Sequence, residues 1–308
     1  GAAYYDAARD CAAGAGGCKL YGSGGHRMTN VFDRIPESVF RVISAAVIGI
    51  LLFMIIFPLY FMLITAFKVE REIYSELTWI PLEPTIQNFY DVFYNFGIPL
   101  YLRNTLIVAG ITTLIVIIVS VLASYALTRL RFPGRAGMAR GVLFVYLVPS
   151  SLMLIPMYLI IVNLGLTNSY TGLVIANMSF SVPFCTWLLM GYLRSISAEM
   201  EEASLIDGCT RMLSLWYIVI PLSVPGIVTA AIFTFNNVWN EFIFALVLAQ
   251  DDAHKMISVG LANFYRADFY MVGPMMAGSI IAMTPVVILY ILAQRYVVSG
   301  LSAGAVKG

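Results

Sequence analysis

About six long apolar runs decide what this chain can become, at roughly 41–67, 104–128, 141–162, 172–193, 217–249 and 274–297, each of the order of the 20 residues that cross a hydrocarbon core as a helix. Lipid offers an exposed backbone no hydrogen-bond partner, so spans of this length must pair their own N–H and C=O groups as helices. The expected fold is therefore all-α, a polytopic membrane bundle of about six transmembrane helices. The fifth run exceeds what a perpendicular crossing needs, so it is tilted, broken, or carried into water at one end. With 60% of the 308 residues hydrophobic and 11% charged, no single soluble core would hide the apolar surface.

The few charges set orientation. Arg27, Arg34 and Arg41 precede the first run, Arg129, Arg131, Arg135 and Arg140 follow the second, and Arg194 and Arg211 follow the fourth. The opposite connections, 68–103 and 250–273, hold Glu70, Glu72, Glu76, Glu83, Asp91, Asp251, Asp252 and Asp268 among fewer bases. The positive-inside rule then places both termini in the cytoplasm. A formal net charge of +1 points away from nucleic acid. Cys11, Cys18, Cys185 and Cys209 show neither zinc-ligand nor disulfide-framework spacing, so no metal site is expected.

Residues 1–27 are Gly/Ala-rich with no signal-type apolar segment and read as a tag, linker or upstream extension, with Met28 a native start. Residues 28–40 form a cytoplasmic N-terminal segment, 41–297 the membrane domain, and 298–308 a small, flexible cytoplasmic tail.

The connection 194–216 interrupts the grease with acid. Ser195 and Ser197 suit an N-cap, Glu199, Glu201 and Glu202 fall where a helix dipole favours acids, and Gly208 follows Asp207 where the helix must stop. Met200, Ala203 and Ile206 recur at three-residue spacing, a narrow apolar stripe on a cytoplasmic helix too short to enter lipid. Something else must cover it. A second helical segment begins near Thr210 and leads into the fifth span.

Glu202-Ala203-Ser204-Leu205-Ile206-Asp207-Gly208-Cys209, with Pro221-Leu222 downstream, resembles the EAA loop of inner-membrane permease subunits of ABC importers, whose pattern runs E-A-A-x-x-D-G-A, an apolar helix, then L-P. R-L-R-F-P-G-R at 129–135, V-W-N-E-F at 238–242 and the chain's ending are similar to the carbohydrate permeases of maltose type, particularly the smaller subunit of the heterodimer. The chain departs from the pattern at Ser204, Cys209, Arg211 and Leu215. The resemblance implies a coupling helix that docks in a cleft of an ATP-binding subunit, with Glu202, Ala203, Ser204, Asp207, Gly208, Leu215 and Trp216 in or beside the contact. It implies as partners a sister permease, two ATP-binding subunits and an extracytoplasmic solute-binding protein. No G-x-x-x-x-G-K-[ST] loop occurs in the chain, so ATP and Mg belong to the partner subunits and this chain is a transport subunit, not an enzyme.

Inside the spans, the polar exception is Asn236, Asn237, Asn240 and Glu241, with Trp239 and Phe242 beside them. Such groups are costly against lipid and should face a pathway or another helix; lining a sugar pathway and gluing helices both remain open. Pro149, Pro156, Pro183, Pro221, Pro225 and Pro285 either bend a gating bundle or are simply tolerated. The segments 68–103 and 250–273 are expected to form the dock for the solute-binding protein, and His254 is expected at the surface. The tail either reaches the ATP-binding subunits or frays.

The expected function is the membrane half of an ATP-driven importer for a disaccharide or oligosaccharide in the bacterial or archaeal inner membrane. A permease for another solute, such as a glycerophosphodiester or polyol, is the nearest rival. A self-sufficient secondary transporter is disfavoured, because no intramembrane acid–base relay or inverted repeat is evident.

Overall fold

The computed structural model describes residues 37–75, 77–266 and 269–305. The expected leader, Met28, Glu76 and Asp268 lie outside the described residues. The chain divides into two units, Gly1–Phe57 and Pro58–Gly308. In the first, the described part is the opening of helix α1 (Glu37–Ala66), apolar on every side, with Leu52, Phe53 and Ile55 exposed and the Phe53 and Phe57 rings 5.5 Å apart.

The second unit contains the bundle. After the short helices α2 (Glu70–Ser75) and α3 (Gln87–Tyr94) come α4 (Ile98–Arg129), α5 (Arg135–Leu147), α6 (Ser150–Asn163) and α7 (Tyr170–Ser195). Then follow α8 (Glu199–Ile206), α9 (Arg211–Ser214), a π-helical turn Leu215–Val219, α10 (Ile220–Trp239), α11 (Ile243–Leu248) and α12 (Ile257–Ala262). A two-residue antiparallel ladder, β1 (Tyr265–Arg266) against β2 (Phe269–Tyr270), precedes α13 (Val272–Ala305). The backbone of the tail stays helical to Ala305, where the small residues read as flexible.

Among the described residues, five helices are long and apolar enough to cross a membrane, and α5 with α6 makes a sixth crossing if that pair, bent by 99°, counts as one span. The bend sits at a residue whose freedom is restricted. Val148 precedes Pro149, whose ring disfavours the helical conformation there, and Val148 is extended at φ −72°, ψ 123°. Pro156, Pro183, Pro225 and Pro285 lie inside continuing helices, whereas Pro221 follows the π turn. Proline brings no N–H to the helix ladder, and the wide turn lies just upstream of that missing donor. The fifth run is broken, ending as α10 at Trp239 and resuming as α11.

α4, α7 and α10 pack on one another at the centre, with α13 against α10. Their contact faces carry small and apolar residues, including Val108, Ala109, Leu173, Ala176, Val238 and Ala277, all fully buried. Close approach requires Gly226, where a Cβ would stand 2.6 Å from the Tyr192 ring. At one end of the bundle lie the C-termini of α4 and α7 with their arginines. At the other, Asn104 of α4 donates to the carbonyls of Ala253 (2.9 Å) and Lys255 (3.0 Å) and accepts from the Tyr170 hydroxyl at 2.7 Å. Asn168, at φ 51°, receives the Gln250 N–H at 2.8 Å. The connection 250–256 is thus stapled to α4 and α7, and His254 sits in it, half-buried, paired with Asp251.

Candidate functional site

At the arginine-rich end, α8 is a helix of 8 residues whose two faces differ sharply. Met200, Ala203 and Ile206, the predicted stripe, are exposed, Ile206 by 85%. Glu201 and Ser204 point inward and are buried. The helix begins with the Glu199 N–H bonded to Ser197 Oγ at 3.2 Å, although no side chain occupies the N-cap itself, which is Ala198. It ends in a Schellman arrangement: Gly208 adopts φ +90°, its N–H reaches the Leu205 carbonyl at 3.2 Å, and the Cys209 N–H reaches the Ser204 carbonyl at 3.0 Å. Thr210 then caps α9, accepting from the Leu213 N–H.

The inward face is held by polar groups from far along the chain. Tyr125 of α4 donates to Glu201 Oε1 at 2.6 Å, and Arg129 Nε stands 3.3 Å from Glu201 Oε2. That contact is an ion pair without hydrogen-bond alignment. A terminal nitrogen of Arg129 also donates to the carbonyls of Leu193 (3.0 Å) and Ile196 (2.8 Å) at the end of α7, where helix carbonyls run short of backbone donors; Leu193 additionally accepts the Ile196 N–H at 3.3 Å. One guanidinium therefore joins α4, α7 and α8. The Ser204 hydroxyl donates to the Glu201 carbonyl at 2.7 Å and stands 2.8 Å from Ser214 Oγ of α9. Beneath these groups Tyr125, Leu193, Leu215 and Val219 form a small apolar cluster.

The coupling residues read from the sequence therefore separate. Glu202, Ala203, Asp207 and Gly208 are exposed, Ser204 is buried, Leu215 is 1% exposed and Trp216 is 60% exposed. Trp216, not Leu215, stands at the surface, beside Met212, Leu213 and Tyr217, all exposed. Glu201, Tyr125 and Arg129 were not singled out by sequence as a set, because their meeting spans 76 residues of chain.

The second candidate region lies at the end of α10. Asn237 and Glu241 line a cleft of about 410 Å³ together with Asn177, Ser181 and Phe184 of α7 and Tyr146 of α5. Tyr146 packs on Phe184 with ring centroids 5.0 Å apart. Trp239 faces elsewhere; it is buried and stacks on Phe235 at 5.4 Å. Asn240 donates to the Asn236 carbonyl at 2.8 Å, closing the end of α10 on itself. Glu241 is committed as well, its two carboxylate oxygens each accepting one N–H, from Phe244 and Ala245, at 2.8 Å. It caps α11. Of Asn236, Asn237, Trp239, Asn240 and Glu241, the pathway candidates from sequence, Asn237 and Glu241 reach the cleft; Asn177 and Ser181 reach it too, and their signal in the sequence is a short cluster of polar side chains, with Ser179, in an apolar run.

Comparison with known proteins bears on the family and the fold. Residues 117–302 match the family described as "Binding-protein-dependent transport system inner membrane component". The sulfoquinovosyl glycerol transport system permease protein SmoH of Agrobacterium fabrum is 37% identical over 255 residues, 82% of this chain and 89% of that protein. The diacetylchitobiose uptake system permease protein DasC of Streptomyces coelicolor is 32% identical over 89% of this chain and 100% of its own length. The trehalose/maltose transport system permease protein MalG of Thermococcus litoralis is 33% identical over 90% of this chain and 99% of its own. In fold, the chain is similar to one from the crystal structure of a bacterial ABC transporter that imports the acidic polysaccharide alginate, with a TM-score of 0.76 at 22% identity over 85% of this chain and 97% of that one. The chain belongs to the inner-membrane components of binding-protein-dependent transport systems and is a permease subunit of that family.

Proposed function

We propose that this permease serves an ATP-driven importer of saccharide-containing solutes. It forms half of the translocation pathway beside a sister permease, and its arginine-rich end and both termini lie in the cytoplasm. Two ATP-binding subunits hold ATP and Mg there, and a solute-binding protein delivers from the far side, where the segments 68–103 and 250–273 lie. The observation that carries the coupling role is α8: a short helix anchored by its inner face and left with Met200, Ala203 and Ile206 uncovered. An apolar stripe at helical spacing is what a groove on a partner takes up. Acids on the same helix, Glu199 and Glu202, are exposed at its start, and they disfavour an anionic membrane surface as the covering.

For the solute, the supporting features are the amide and hydroxyl groups of Asn177, Ser181 and Asn237 beside the rings of Tyr146 and Phe184, a mixture suited to hydroxyl-rich rings. The relatives' names, sulfoquinovosyl glycerol, diacetylchitobiose and trehalose/maltose, all denote saccharide-bearing solutes. The test is the four-component complex reconstituted in lipid, with hydrolysis and uptake measured over a panel of disaccharides, oligosaccharides, polyols and glycerophosphodiesters. Stimulation by a saccharide alone is the expected result. Stimulation only by a polyol or a phosphodiester would replace the solute class, and hydrolysis indifferent to every solute would sink the importer reading.

A further inference from the structure

α8 is fastened to the bundle by groups that an apolar contact alone would not need. Glu201 is buried, with 6% of its side chain exposed, and its carboxylate meets the Tyr125 hydroxyl at 2.6 Å and the Arg129 guanidinium at 3.3 Å. Arg129, with 13% of its side chain exposed, holds the Leu193 and Ile196 carbonyls at the same time. Hydrophobic contacts allow sliding, whereas directed hydrogen bonds and a buried ion pair fix register, at a desolvation cost that a merely adhesive contact has no reason to carry. On the other side of α8 the chain leaves through Gly208, whose Cβ position meets nothing within 4 Å, and through the π turn Leu215–Val219. The buried charges lie on the entry side, and the exit side is held by the Ser204–Ser214 contact and the burial of Leu215 and Val219.

We infer that Tyr125, Arg129 and Glu201 are positioning residues that make α8 and the ends of α4 and α7 one rigid body, so that a displacement imposed on α8 is delivered to α4 and α7. This rests on the importer reading above. None of the three needs to touch the ATP-binding subunit to act. The structure thus divides the acidic helix by role: Glu202, exposed, is available to a partner, and Glu201, one residue earlier, is the attachment to the bundle.

The test uses the reconstituted complex with Tyr125→Phe, Glu201→Gln and the double variant. Tyr125→Phe removes one hydroxyl and keeps the ring in its apolar cluster, so it remains informative if Glu201→Gln fails to assemble. With ATP-binding subunits still co-purifying and hydrolysis continuing, solute moved per ATP is expected to fall about five- to tenfold, the size that mutations along such coupling networks reach. The double variant should lose no more than the worse single one, because the residues act as a unit. Independently, spin labels on Cys209 and on Arg131→Cys, with Cys11 and Cys18 replaced by serine, should give one narrow distance that ATP leaves unchanged and that Glu201→Gln broadens. An unchanged solute-per-ATP ratio in both single variants, or a label distance that shifts with ATP in the otherwise unaltered complex, overturns the inference. If the unaltered complex shows no solute-stimulated hydrolysis, the importer reading fails instead, and the label distances still decide whether the clamp is rigid.

Discussion

At the scale of single residues, conformation and pairing decide more than residue type. Gly208 sits at φ +90° with open space where a Cβ would go, so a substitution there costs backbone strain, roughly 1–2 kcal/mol for an L-residue held left-handed, and causes no clash. Gly208→Val is therefore expected to leave the bundle inserted while weakening retention of the ATP-binding subunits, and Gly208→Asn to be milder, since asparagine tolerates that region best among the larger residues. Co-purification and uptake, measured together, check the ranking; equal, wild-type behaviour in both would remove the loop from the coupling path. The turn itself was legible in Asp207-Gly208, because only backbone geometry was needed to read it. Which acid turns inward was not legible: Glu201 and Glu202 differ by one step around a helix, and the choice is made by Tyr125 and Arg129 on a distant segment. Outside the bundle, Glu72 is a second inward acid. Its carboxyl is held below the usual range, first by the Thr78 hydroxyl at 2.6 Å, then, against the opposing effect of burial, by the Leu82 and Glu83 N–H groups and Lys68. A depressed folded value gives stability that is present above the unfolded value and lost as pH falls through the folded one. Hydrogen exchange at the Leu82 and Glu83 amides, corrected for intrinsic rates, should thus accelerate only below about pH 4, the ordinary range for glutamate, and Thr78→Val should raise the onset.

Among the elements, the spans were readable because hydrophobic length alone specifies them, and the bend and the break were not. The run 141–162 contains Pro149 but also Pro156, and only the first redirects the chain. Proline permits a break without requiring one, since packing of α6 and α7 decides whether the helix resumes in line. The same holds for α10 and α11. The sequence leaves Asn240 and Glu241 open between lining a pathway and gluing helices; in the structure their side chains finish one helix and start the next, and Glu241 also lines the cleft. Separate outcomes follow for the two neighbours in the cleft. Glu241→Ala should lower stability by about 1 kcal/mol, the ordinary worth of a lost helix cap, and so lower Tm in detergent. Asn237→Leu, at an exposed position with no bonded partner among the described contacts, should leave Tm in place and reduce uptake. A Tm loss in Asn237→Leu equal to that of Glu241→Ala would return Asn237 to a structural role.

For the whole molecule, sidedness follows from where arginine accumulates. Single cysteines at Arg135 should react with impermeant reagents only from the cytoplasm and those at Asp252 only from outside; labelling of Arg135 from outside would reverse the orientation. The 99° bend has a longer reach. α5 and α6 contain 13 and 14 residues, about 20 Å each at 1.5 Å per residue, against roughly 30 Å of hydrocarbon. α5 buries none of its residues within this chain, and Phe144 and Leu147 are 72% and 67% exposed. This wall is left uncovered within the chain, and counted as one crossing the pair would bring the ends of two short helices together at its bend. With the sister permease proposed above as its cover, a copy made alone should be an orphan of the kind that membrane proteases remove, its abundance set by the supply of that sister. In a pulse–chase experiment its half-life should shorten when it is expressed alone and recover on co-expression.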